Sequence, residues 1–134
     1  MADLLAEFNW LAAVVGGIAY FAIGALWYGP FFGKAWREEK EIDELPESPG
    51  APIFVQSLLL QIVAAVSLGI FAVALAVDGA VEGFYLGLAA SAGFVATTVG
   101  VNGIYNEMSL RLFFIDAGYH VVGFAAAGLI IGMW

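Results

Sequence analysis

Apolar residues run almost unbroken through four stretches of this chain, Leu11–Trp27, Ile53–Val77, Phe84–Ile104 and Leu112–Trp134, and polar residues collect between them. Each stretch is nearly free of charge and reaches the roughly 20 residues a helix needs to cross about 30 Å of hydrocarbon. The pattern predicts spans over about 8–28, 53–77, 83–105 and 110–133, an all-α four-helix transmembrane bundle. The length suits one integral membrane domain covering residues 1–134.

Punctuation between the stretches supports this reading. Pro30 cannot continue a helical hydrogen-bond ladder, so the first span ends or kinks there. Phe31–Arg37 mixes aromatic and basic residues and suits the membrane interface, with Trp36 at headgroup level and Lys34 and Arg37 near phosphates. Ser48-Pro49-Gly50-Ala51-Pro52 reads as a linker, with Pro52 in the first turn of the second span. Asp78-Gly79 marks a tight turn, and Ser109 suits the N-cap of the fourth span. The 2–3 and 3–4 connections are short, which predicts antiparallel hairpins. The longer 1–2 connection would cover one end of the bundle.

Composition sharpens the class. Hydrophobic residues make up 63% of the chain and charged residues 12%, with mean hydropathy +0.94. A soluble domain of this size could not hide so much apolar surface, since about half apolar is usual. The absence of cysteine excludes disulfides, thiol catalysis and thiolate metal sites. Asp3 and Glu7 precede the first apolar run and no Lys or Arg does, so that run reads as a retained helix rather than a cleaved signal.

Charge suggests an orientation. Lys34, Arg37 and Lys40 lie in the 1–2 loop and Arg111 at the 3–4 turn. The positive-inside rule then expects a multi-pass cell-membrane protein with both termini outside and those two loops cytoplasmic. Trp10, Tyr85 and Trp134 would form an outer aromatic belt, and Trp27, Tyr28, Trp36 and Tyr105 an inner one. Net charge is −8, with six acidic residues between Glu38 and Glu47. That 38–47 loop would suit a basic partner or divalent cations, or a solvated surface in high salt, as in a halophilic prokaryote. Nucleic acid is an unsuitable partner, because the basic face that phosphates require is missing.

The candidate chemistry gathers around the 3–4 hairpin. Asn102 and Asn106 are four residues apart on the third span, and Asp116 and His120 four apart on the fourth. At 1.5 Å per residue Asp116 lies about 9 Å along its helix and His120 about 15 Å. Both must face protein or water, since an unpaired charge at such depth costs about 3 kcal/mol or more. Two readings stand. In a proton or ion relay Asp116 orients His120, whose ordinary pKa near 6.5 allows exchange near neutrality. In a helix clamp the pair bonds across to Asn102, Asn106 or a tyrosine. Asp116, His120 and Glu107 make a poor metal site, because zinc takes four ligands and no matching motif is present. No nucleophile elbow or phosphate-binding glycine loop occurs, so the expectation is neither an enzyme nor a cofactor carrier. Glycines at small-residue spacing, as in Gly83-x-x-x-Gly87 and the Gly118, Gly123, Gly128, Gly132 stripe, point to close helix packing. Some such faces would meet another copy, giving a homo-oligomer in the lipid bilayer.

Three N-terminal segments, Asn9-Trp10-Leu11-Ala12-Ala13, Gly24-Ala25-Leu26-Trp27-Tyr28-Gly29-Pro30 and Phe32-Gly33-Lys34-Ala35-Trp36, are joined by Phe114-Ile115-Asp116-Ala117-Gly118-Tyr119-His120. Together they resemble a family of small prokaryotic four-span membrane proteins grouped as a domain of unknown function. The acidic Glu38–Glu47 stretch departs from that pattern. The resemblance implies the fold and the membrane location, and no activity. It singles out Trp27, Tyr28, Pro30 and Trp36 as an interfacial motif. Lys34 would pair with Asp116 or Glu107 beside Arg111, or reach up to lipid phosphate. The functional expectation is a channel- or transporter-like oligomer with a polar Asp116/His120 path. The alternative is a scaffold or accessory subunit in which these residues only lock helices.

Overall fold

A computed structural model of the chain describes Ala6 and residues 8–42 and 50–134. Asp3, Glu7 and the part of the acidic loop and linker over 43–49 lie outside the described residues. Every regular element among those described is helical. Four helices are long and apolar enough to cross a membrane: span 1 (Trp10–Phe31), span 2 (Ala51–Ala74), span 3 (Ala80–Tyr105) and span 4 (Leu110–Gly132). This is an all-α four-helix bundle of an integral membrane protein.

Local chemistry sets the boundaries. The Asn9 side chain accepts from the Ala12 N–H and caps span 1. Ser109 does the same for span 4 through the Leu112 N–H. Pro52 sits in the first turn of span 2, where its missing N–H costs nothing. Span 1 kinks at Pro30, as the sequence leads one to expect. The break falls within a wide π-turn over Trp27–Phe31, where Gly29 leaves helical geometry at φ −92°, ψ −106°. After Phe32 a short connecting helix, Gly33–Glu39, follows. A second π-turn, Ser91–Val95, interrupts span 3. Buried Ser91 there donates to the Gly87 and Leu88 carbonyls.

Span 4 is the hub, packed between spans 1 and 3, with span 2 against span 1 and only sparse contact between spans 2 and 3. The 2–3 connection is therefore a tight turn whose two helices diverge. Ala65 and Leu68 of span 2 meet Ala127 of span 4, with Leu86 and Ala90 of span 3 packed on them. Spans 3 and 4 approach backbone to backbone. A Cβ on Gly83 would overlap the Gly128 carbonyl, and one on Gly87 the Phe124 carbonyl. Without a hydrophobic force between helices in lipid, such close van der Waals contact is what holds them.

The two loops bearing the basic residues share one end of the bundle. Arg111, at the start of span 4, reaches Glu38 and Glu39 of the connecting helix at 3.3 Å each. Ser109 donates to Glu39 as well. These exposed pairs fix where the connecting helix lies more than they add stability.

Candidate functional site

Among the described residues, Asp116 and His120 are the carboxylate and the imidazole that lie more than one turn inside a span. With Tyr119 they occupy positions i, i+3 and i+4 of span 4 and so share a face. Gly123 and Ala127 extend that face, and both abut span 1: Gly123 lies against the Tyr20 ring and Ala127 against Gly16. The face that carries the ionisable pair is thus the face turned to span 1.

Span 1 supplies the partners. The Tyr20 hydroxyl is hydrogen-bonded to His120 Nδ1. The Tyr28 hydroxyl donates to Asp116 Oδ1 at 2.8 Å. Tyr28 reaches Asp116 from within the π-turn, and Trp27 beside it donates from Nε1 to the Ile115 carbonyl at 2.9 Å. Tyr119 is buried at the centre. Its ring centroid lies 4.8 Å from His120, 5.3 Å from Tyr20 and 5.2 Å from Tyr28. Span 2 enters through Gln61, whose Nε2 donates to the Tyr119 hydroxyl. The buried Gln61 Oε1 has no hydrogen-bond partner among the described residues. Trp36 of the connecting helix stands edge-on to Tyr28 at 5.9 Å, with Lys40 Nζ 5.8 Å above the Trp36 ring.

Several expected partners lie elsewhere. Asn102 and Asn106 are exposed on span 3, and Asn106 Nδ2 donates only to the Asn102 carbonyl of its own helix, at 2.7 Å. The structure does not bring them to Asp116 or His120, because span 4 turns Gly128 and Gly132 to span 3 and its polar face to span 1. Lys34 pairs with neither Asp116 nor Glu107. It lies 4.0 Å from Glu38, one turn on in its own helix, and is largely exposed. Glu107 forms no ion pair among the described residues and sits at φ 54° in the 3–4 turn. Of the expected ion-pairing set, Arg111 alone bridges two elements, and it does so through Glu38 and Glu39.

The sequence points to a tyrosine as a candidate partner of the pair but does not single out Tyr20, Tyr119 or Gln61, and it marks Tyr28 as an interfacial belt residue. The available signal was a pair of tyrosines inside apolar runs, whose hydroxyls need partners when buried.

A family model described as "Protein of unknown function (DUF1761)" matches residues 11–132. The chain belongs to this family. Within the DUF1761 match lie all four spans but for Trp10, and all six site residues, Tyr20, Tyr28, Gln61, Asp116, Tyr119 and His120. No curated protein and no solved structure matches the chain.

Proposed function

We propose that this protein passes protons, or ions coupled to them, along the polar seam between spans 1 and 4, as a channel- or transporter-like oligomer. One observation carries the reading: Asp116 and His120, one turn apart inside a span, each hold a tyrosine hydroxyl of span 1. Carboxylate, imidazole and phenol can all give and take protons, and ionisable groups at such depth mark proton or ion pathways by default. Tyr119, between the two pairs and bonded to Gln61, extends the seam toward span 2.

The four basic residues at one bundle end favour an orientation with that end cytoplasmic and both termini outside. The excess of acidic side chains suits a salt-rich setting, where screening removes self-repulsion. Large apolar side chains on the outside of span 3, such as Phe94 and Ile104, suit lipid or a second copy.

A second reading is a non-transporting scaffold. It is favoured by the same bonds, since they tie spans 1 and 2 to span 4 at one level. Purified protein in liposomes loaded with a pH-sensitive dye separates the two. Under an imposed membrane potential the transport reading expects a change of internal pH, lost in Asp116→Asn and His120→Gln. The scaffold reading expects no flux at any pH, with both substitutions altering only stability.

A further inference from the structure

The lipid-facing side of span 4 carries a feature unrelated to the polar seam. Arg111, Phe114 and Gly118 recur at helical spacing, so they form one stripe running about 10 Å inward from the basic end. Facing that stripe are Trp27, Phe32 and Ala35, from the π-turn and the connecting helix. Between them lies an open groove of about 630 Å³. Its walls are aromatic or aliphatic, and the charged residue among those lining it is Arg111, which is paired with Glu38 and Glu39.

The arginine is only partly used. Nη1 alone bonds Glu38 and Glu39. Nε and Nη2 make no hydrogen bond among the described residues. Those two N–H groups form the fork edge that matches phosphate oxygens in parallel. The Arg111 side chain is 56% exposed.

We infer that this groove binds a glycerophospholipid, its phosphodiester on the Nε/Nη2 edge of Arg111 and one hydrocarbon chain along Phe114 and Gly118. The groove matches the lipid in its donors and walls: a guanidinium edge at the headgroup level and apolar side chains beneath. A free anion would leave the aromatic walls unused, and a hydrocarbon alone would leave the fork unmatched. Glu38 and Glu39 engage only the other corner of the guanidinium, at Nη1.

Native mass spectrometry of the full chain tests this. The protein is extracted mildly from vesicles holding equal amounts of phosphatidylglycerol and a monoglycosyl diacylglycerol with the same chains. The wild type is expected to retain the phospholipid in preference to the glycolipid. Arg111→Gln should lower retention about tenfold, the scale of losing a charged hydrogen-bonded pair. Ala35→Leu, which narrows the groove and leaves the arginine in place, should lower it too. The double variant Glu38→Gln/Glu39→Gln removes the same ion pairs as Arg111→Gln but keeps the fork, and should retain lipid. Equal retention of the two lipids by the wild type would overturn the inference. So would undiminished retention in Arg111→Gln or Ala35→Leu, or a loss in the glutamate double variant as large as in Arg111→Gln.

Discussion

The Tyr28 hydroxyl donates a 2.8 Å hydrogen bond to Asp116 Oδ1, joining span 1 to span 4 across 88 residues of chain. It depends on the π-turn around Gly29-Pro30, which places Tyr28 in the bundle instead of at its rim. Removing the phenol would leave a carboxylate facing apolar surroundings, whereas neutralising the carboxylate keeps an acceptor. Tyr28→Phe should therefore cost about 1–2 kcal/mol and Asp116→Asn less than about 1, given the strength of interhelical bonds in lipid. A double-mutant cycle in detergent unfolding should show the two positions coupled. Additive losses would mean that the bond contributes nothing.

His120 sets the expected pH dependence of the seam. Imidazole is the side chain that changes charge between pH 5 and 8 at its ordinary pKa. Flux in liposomes should depend on pH in the wild type and lose the dependence in His120→Gln. Tyr20→Phe, which removes the hydroxyl held by Nδ1, should shift the profile without abolishing it. An identical profile in all three proteins would remove His120 from the pathway.

Gly87 and Gly93 lie in one span and face opposite situations. A Cβ at Gly87 would overlap the Phe124 carbonyl, while one at Gly93 meets nothing within 4 Å. Gly87→Ala should destabilise the protein by about 2 kcal/mol or more through forced separation of spans 3 and 4. Gly93→Ala should be neutral or stabilising by up to about 1 kcal/mol from helix propensity. Thermal unfolding of the two variants side by side checks the packing. Equal losses would place the close approach elsewhere.

Glu107 has a conformational role at the 3–4 turn. Its φ of 54° closes the end of span 3, where the Met108 N–H reaches the Gly103 carbonyl at 2.9 Å. A left-handed residue there favours glycine, and a negative charge at a helix C-terminus is unfavourable. Glu107→Gly is expected to stabilise the protein by about 1 kcal/mol, measured as a raised unfolding midpoint. A lowered midpoint would show that its carboxylate makes a contact of its own.

The spans were legible because bilayer thickness alone dictates their length, whatever packs against what. The caps at Ser109 and Pro52 were legible for a similar reason, since they follow from backbone donors within the same turn. Partner choice was not, because it depends on the rotation of each span about its axis. Asn102 and Asn106 are near Asp116 in a hairpin diagram, yet the polar face of span 4 turns the other way. Gly123 and Ala127, continuing the Asp116–His120 stripe as small residues, held the clue that another helix lies close there. The Gly29-Pro30 pair reads as an end or a kink in sequence, because Pro removes a donor, and the structure has the kink. A wider turn tolerates that loss, and so Tyr28 enters the site.

The most direct test of the whole account is the oxygen-collision rate of spin labels placed along span 4 in a bilayer. The natural chain has no cysteine, so single labels are unambiguous. Labels at Phe114→Cys and Val122→Cys, both exposed on the bundle surface, should collide freely with oxygen and poorly with a water-soluble nickel chelate. Labels at Asp116→Cys and His120→Cys should be shielded from lipid-dissolved oxygen by span 1. If positions 116 and 120 prove as open to lipid as 114 and 122, or if all four meet the chelate freely, the membrane-embedded seam does not exist.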